Sequence, residues 1–402
     1  MKAGLERVSS SLAAAPFAAM VGMEGCTIAL TIMAKTVLSG GMVNRMVMSP
    51  YVFVVYVNAL GTLFLFPFSF LYHRSWWSGS AGGKNDEILD EKQQQQQQQQ
   101  PRPVFPLLAR YFFMGFTGIA LSQNLAFMGL VYSSPIVVCA MGLLIPAFSS
   151  VLDVLLGGRA INKSTHWSSS SFKFKLIGAL ISAMGAITVV TYKGPYIREA
   201  RPSPSPHLQQ KQHRFVFYSL ADDDSWAAGC LLLAASSLCV SIWNFLQSDT
   251  VKRNPKVMEV ASCYSLAGTV QCAIFASAVE RDLGAWKIKI VGLESMVILV
   301  TAIFGSIIRS SVHVWSARAK GSLYVAMFQP FRIVWATFFG VSFFVNGLHY
   351  GSVIGTVVCG MGYYTILWGR IKEDEGRKVC AHDVKCSSDN RAPLLIKDNS
   401  QV

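Results

Sequence analysis

Long apolar stretches alternate with short polar ones along this chain, and the apolar stretches reach the length that about 30 Å of hydrocarbon requires of a helix. Ten spans are predicted, over residues 14–37, 50–72, 107–131, 135–156, 175–192, 226–247, 257–279, 294–316, 322–345 and 349–369. Two of them are near copies. At a constant offset of 177 residues, Ile177, Gly178, Met184, Gly185, Thr188 and Lys193 align with Ile354, Gly355, Met361, Gly362, Thr365 and Arg370. The pattern predicts a duplicated unit of five spans. Because five is odd, the second copy enters the bilayer upside down, an arrangement that secondary transporters use. The expected fold is therefore an all-α membrane protein of ten transmembrane helices, built as two inverted five-helix repeats.

The polar segments divide the chain. A short N-terminal segment, 1–13, precedes the first repeat, 14–192; the second repeat covers 226–369, and a polar tail, expected to be mobile, runs over 370–402. Inside the first repeat the loop 73–104 carries eight consecutive glutamines, Gln93 to Gln100, among mixed charges and prolines. The linker 193–225 contains Arg201-Pro-Ser-Pro-Ser-Pro206 and Asp222-Asp223-Asp224. Both compositions read as disordered.

Composition agrees with the pattern. Of 402 residues 52% are hydrophobic and only 14% are charged, a poor match for a soluble protein of any domain count. A net charge of +13 raises the question of nucleic acid, but the basic residues lie in loops without aromatic interleaving, so no nucleic-acid partner is expected. Orientation accounts for them instead. With both termini placed in the cytosol, and Lys35, Arg110 and Lys175 at span ends counted with the segments they adjoin, the cytosolic side holds 23 Lys and Arg and the opposite side 10, with Arg309 and Arg332 deeper inside spans. The first apolar stretch is long enough to span and has no convincing cleavage site, so it is read as span 1 rather than a signal peptide. Seven of nine cysteines fall within spans and two in the tail, none at a disulfide or zinc-ligand spacing.

Charged side chains inside spans cost roughly 2.5–3.5 kcal/mol on insertion scales, so each needs a reason. Glu24 lies near the middle of span 1 and Arg332 near the middle of span 9. Arg309 sits in span 8, with His313 one turn later on the same face. One negative and two positive charges suit a cavity that accepts a carboxylate. The plainer alternative is an internal Glu-Arg pair that fixes helix packing, with the other arginine reaching toward water. Pro146 in span 4 and Pro330 in span 9 interrupt equivalent spans; paired interruptions point to a midplane binding site, or to kinks that merely improve packing. Asn124 and Gln329 are candidate lining amides, beside Asn58, Gln123, Asn244, Gln247 and Gln271, some of which serve as interhelical glue. Gly178, Ser182, Gly351, Gly355 and Cys359, spaced by four, let helices approach closely.

No Gly-x4-Gly-Lys-Ser/Thr loop, His-Glu-x-x-His or Gly-x-Ser-x-Gly elbow is present. The expectation is a protein without enzyme activity, cofactor or metal, with any transport driven by gradients.

Several short motifs then fall in order. They are Met23-Glu24, Tyr132-Ser-Ser-Pro135, Tyr192-Lys-Gly-Pro195, Trp226 and Gln247 framing span 6, and His313-Val-Trp315. They continue with Ala326-Met-Phe328 and Pro330, Leu348-His-Tyr-Gly-Ser-Val-Ile-Gly355 and Leu367-Trp-Gly369. In these the chain resembles the plant nodulin-like transporters of the drug/metabolite transporter superfamily, the group of two EamA domains that includes the "walls are thin" auxin exporter and the UMAMIT amino-acid exporters. The resemblance covers Ala15 to Arg370 and implies two EamA-like repeats. It also implies a secondary carrier for amino acids or auxin-like carboxylates, alternating access around a midplane site, with protons as a candidate coupling ion and lipid as the surrounding partner. The chain departs from that pattern at Asn346, where the family usually has an acid, at Lys320-Gly-Ser322, and at Arg332, where a small or apolar residue is usual. The missing acid at Asn346 mildly favours the alternative, a non-transporting receptor-like or scaffold member, whereas the retained prolines and buried charges favour transport. The expected location is the plasma membrane or the vacuolar membrane, the latter suggested weakly by Asp389 to Leu395, a near match to an acidic dileucine signal.

Overall fold

The computed structural model describes residues 2–38, 48–79, 104–157, 170–192, 224–253, 257–281, 284–287, 292–343 and 350–389. Ten helical elements follow in order: α1 (Lys2–Leu38), α2 (Pro50–Gly79), α3 (104–132), α4 (135–157), α5 (Ser170–Thr191), α6 (Asp224–Arg253), α7 (Val257–Val279), α8 (293–320), α9 (322–343) and α10 (Tyr350–Asp389). Each corresponds to one predicted span, with α1, α2, α6 and α10 running past theirs, and no strand occurs among the described residues. The glutamine tract, most of the linker, Asn162, Asn346 and the dileucine lie outside the described residues. The tail expected to be mobile from residue 370 instead begins as helix, because α10 runs on to Asp389.

Nine of the helices among the described residues are long and apolar enough to cross a membrane. The tenth, α9, is divided into Ser322–Met327 and Phe331–Phe343 around a turn at 328–330. Pro330 is the cause, since it has no N–H to give the carbonyl four residues back and its ring crowds that carbonyl. The backbone tightens there into bonds of shorter span: Phe328 N donates to Val325 O, Gln329 N to Ala326 O and Arg332 N to Gln329 O, at 3.3, 3.3 and 3.2 Å. The equivalent helix α4 is broken in the same way ahead of Pro146, into Pro135–Gly142 and Ile145–Gly157. Two further irregularities also match between the predicted halves. Both α3 and α8 widen into a π-helical turn, at Phe116–Leu121 and Phe304–Ile308.

Packing in a bilayer relies on close contact and interhelical bonds more than on exclusion of water, so small residues mark the interfaces. The contact between α5 and α10 shows this. A Cβ at Gly178 would lie 2.8 Å from Gly362 O, and one at Gly362 only 2.7 Å from Gly178 O. Gly185 and Gly355 approach each other's carbonyls equally closely, at 2.8 and 2.9 Å. As residue numbers rise along α5 they fall along α10, so the two helices run antiparallel. A shift of 177 residues converts the first pair into the second. The opposite face of α5, with Leu176, Leu180, Met184 and Ile187, is left exposed in the manner of a lipid-facing surface.

Elsewhere α2 packs on α7, α6 on α3 and α4, and α1 on α8 and α9. The first helix of each predicted half thus rests on the third and fourth helices of the other. Ile28, Ile136, Val137, Met141, Val189 and Leu233 are buried together where α1, α4, α5 and α6 meet.

Candidate functional site

Glu24 on α1 is fully buried. Its neighbour Gly25 explains which helix reaches it: with no side chain there, the ring of Trp335 on α9 lies where a Cβ would come within 2.8 Å. The Trp335 indole N–H then donates to Val21 O at 3.0 Å and fixes the register of α9 on α1. Arg332 precedes Trp335 by three residues and so shares its face. Its Nε donates to Glu24 Oε2 as a salt bridge. A buried pair of this kind is stable only when its remaining hydrogen-bonding atoms are satisfied. Here they are not: Glu24 Oε1 and Arg332 Nη2 are sealed from solvent without a protein partner.

Three more elements complete the surroundings. Arg309 follows the π-helical turn of α8 and lies within electrostatic range of both Glu24 and Arg332. His313, one turn further, lies within range of both arginines, and its Nε2 is buried and unpartnered. From α4, Cys139 Sγ sits 3.9 Å from Arg332 O. From α10, Tyr363 donates its hydroxyl to Ala326 O at 2.8 Å. Ala326 O is the carbonyl that Pro330 cannot serve, and Tyr364 next to it donates to Met327 O at 3.2 Å. Two tyrosines of α10 therefore brace the broken backbone of α9 just ahead of Arg332. At the other break, serines of α6 do similar work, with Ser237 donating to Met141 O and Ser241 to Ile145 O at 2.7 and 2.9 Å. Beside that break, Gly142 faces open space.

The structure thus gathers Glu24, Arg309, His313 and Arg332, and places Gln329 in the turn that supports Arg332. The partner of Glu24 is Arg332. Asn124 lies elsewhere, on α3 facing α7, where its amide donates to Ala120 O at 2.6 Å and toward Cys272 Sγ at 3.9 Å. It belongs near a polar seam between α2, α3 and α7: Asn58 donates to Gln123 at 2.7 Å, and Thr62 bonds Ser265 at 2.7 Å and Thr269 at 2.9 Å. Sequence reasoning named the amides of that seam but missed Thr62, Ser265 and Thr269, although the four-residue spacing of the last two on α7 was a usable signal. Tyr363 was also missed. Only the proline's unserved carbonyl, located in three dimensions, gives that tyrosine a role. Among the described residues no group of three or more His, Cys, Asp or Glu comes together as a metal site would need.

The chemistry available is the binding of charge. Two guanidinium groups and one carboxylate, with unsatisfied donor and acceptor atoms between them, can hold an anionic or zwitterionic group by charge-assisted hydrogen bonds.

No protein-family profile matches the chain. Curated relatives do. Two WAT1-related proteins of Arabidopsis thaliana are 48% identical over 392 residues and 49% identical over 387 residues, each match covering 95% of this chain and 95% of the relative. A third from the same plant is 29% identical over 381 residues, covering 95% of this chain and 92% of its own. With nearly half of its residues shared along almost the full length of two such proteins, this multi-pass membrane protein belongs to the WAT1-related family.

Proposed function

We propose that the chain is a secondary transporter of small organic solutes, amino acids or auxin-like carboxylates, that works by alternating access around Glu24, Arg309, His313 and Arg332. The observation that carries this reading is the half-satisfied ion pair. A pair serving packing alone would be expected to have its outer atoms bonded, whereas Glu24 Oε1 and Arg332 Nη2 are buried without a partner, an acceptor and a donor that a ligand's ammonium and carboxylate would satisfy. A second arginine stands within range of both. The breaks at Pro146 and Pro330 supply backbone that can hinge, and one of them adjoins the pair. The antiparallel contact of α5 with α10, and the exchange of partners between α1 and α6, support two inverted repeats, EamA-like in sequence, that rock against each other. No step here makes or breaks a covalent bond, so the protein acts without catalysis or cofactor. Glu24 is also where a coupling proton would bind. Both termini face the cytosol of a plasma or vacuolar membrane.

The pair itself favours a second reading, a scaffold or receptor-like membrane protein in which Glu24 and Arg332 do nothing but join α1 to α9. Proteoliposomes decide between the two. Vesicles containing the chain, loaded with a mixture of amino acids and organic acids, should lose specific solutes faster than empty vesicles, and Arg309→Gln should abolish that loss with the protein intact. Identical solute profiles with and without the chain would remove the transport reading.

A further inference from the structure

The corner between α3 and α4 holds a second set of unsatisfied groups, away from Glu24. Tyr132-Ser133-Ser134-Pro135 closes one helix and opens the next. Ser133 uses its hydroxyl on Gly129 O at 2.6 Å. Ser134 does not. It is only 7% exposed and stands at the N-cap of Pro135–Gly142, where a serine hydroxyl ordinarily accepts an amide of the first turn, yet it makes no cap bond and its Oγ has no partner. Into the same corner comes Lys35 from the end of α1, whose ammonium donates to Ser133 O. An ammonium has three donors, so two remain. Among the described residues this half-buried positive charge has no counter-ion, since none of their ion pairs includes Lys35.

We infer that this corner is an oxyanion site, taking a carboxylate or phosphate held by the Lys35 ammonium, the Ser134 hydroxyl and the positive end of the Pro135–Gly142 helix. Each of the three is individually unremarkable. Together they present a cation, a buried hydroxyl able to donate, and a helix dipole, and one oxygen-bearing anion would satisfy all of them. The plainer account, in which Lys35 only caps the last carbonyl of α3, explains the bond to Ser133 O but leaves the Ser134 hydroxyl buried and unused. The site stands independently of the reading of Glu24. Two sources offer the same chemistry: a free solute and the headgroup of an anionic lipid.

The test uses the full chain with Ser134→Cys, purified in detergent. Its thiol is modified by a negatively charged and a positively charged methanethiosulfonate, with rates normalised to those for a free thiol and corrected for the parent chain's own cysteines. A cation a few ångströms away should favour the anionic reagent by about fivefold. Lys35→Arg should keep that preference, Lys35→Gln should abolish it, and acetate should slow the anionic reagent. A thiol that does not react, equal rates for the two reagents, or a preference that survives Lys35→Gln would overturn the site. Repeating the measurement in nanodiscs of neutral lipid with and without phosphatidylglycerol identifies the source. Protection by the anionic lipid points to a headgroup, and protection by acetate alone points to a free solute.

Discussion

Glu24 shows how much a single buried charge can organise. The sequence marks it as costly and leaves two arginines, Arg309 and Arg332, as partners without deciding between them. The structure gives the bond to Arg332, because Gly25 admits Trp335 and the register so fixed brings Arg332 over the carboxylate. Removing one member strands the other, so Glu24→Gln and Arg332→Gln should each destabilise the protein by about 3–5 kcal/mol. The double change should recover most of that loss, measured as thermal unfolding in detergent. If the singles are as stable as the parent, the pair is not formed as described. Tyr363 offers a smaller and independent effect. Its hydroxyl serves the carbonyl that Pro330 cannot, and Tyr363→Phe should cost about 1 kcal/mol, the loss of one hydrogen bond to a partly buried acceptor. Unchanged stability would mean that Gln329 N, at 3.3 Å, already satisfies Ala326 O.

Among the elements, α5 and α10 are those whose sequences dictate their contact most directly. Their glycines are spaced so that one face of each helix is flat, and the flat faces meet with backbone against backbone. A leucine at Gly178 or Gly355 has no space to enter and must push the helices apart, so each substitution should destabilise by about 1–3 kcal/mol. Leucine at Ile177, which is half exposed on the outer face, should be neutral. A thermal shift for Gly178→Leu no larger than for Ile177→Leu would contradict the packing. The two broken helices carry a different lesson. Proline position predicts that α4 and α9 are interrupted, and they are. It does not predict that tyrosines of α10 and serines of α6 cover the interruptions, since those donors come from residues remote in sequence.

At the level of the whole molecule, the distribution of basic loops gives a threading that the ion pairs respect. Arg110 and Asp249, 2.6 Å apart, join the start of α3 to the end of α6, and Lys175 and Glu373 join the start of α5 to α10 just beyond predicted span 10. All four residues fall on the side assigned to the cytosol. Asn162-Lys163-Ser164 falls between predicted spans 4 and 5, a segment that the charge distribution assigns to that side, and should remain unglycosylated in native membranes, whereas an acceptor sequon introduced near Ser205 should be modified. Glycan on Asn162 would reverse the orientation. The sequence by itself determined where each apolar helix lies along the chain, the places where α4 and α9 break and the membership of a family. Each of these depends on local properties: apolar length, a missing amide hydrogen, a repeated order of residues. Tertiary structure alone decided which arginine meets Glu24, why Asn124 belongs to a separate seam, and that Lys35 and Ser134 share a corner. Those outcomes depend on which helix faces which, and that is set by shape at the crossing points, where one glycine or one indole shifts the register of everything beyond it.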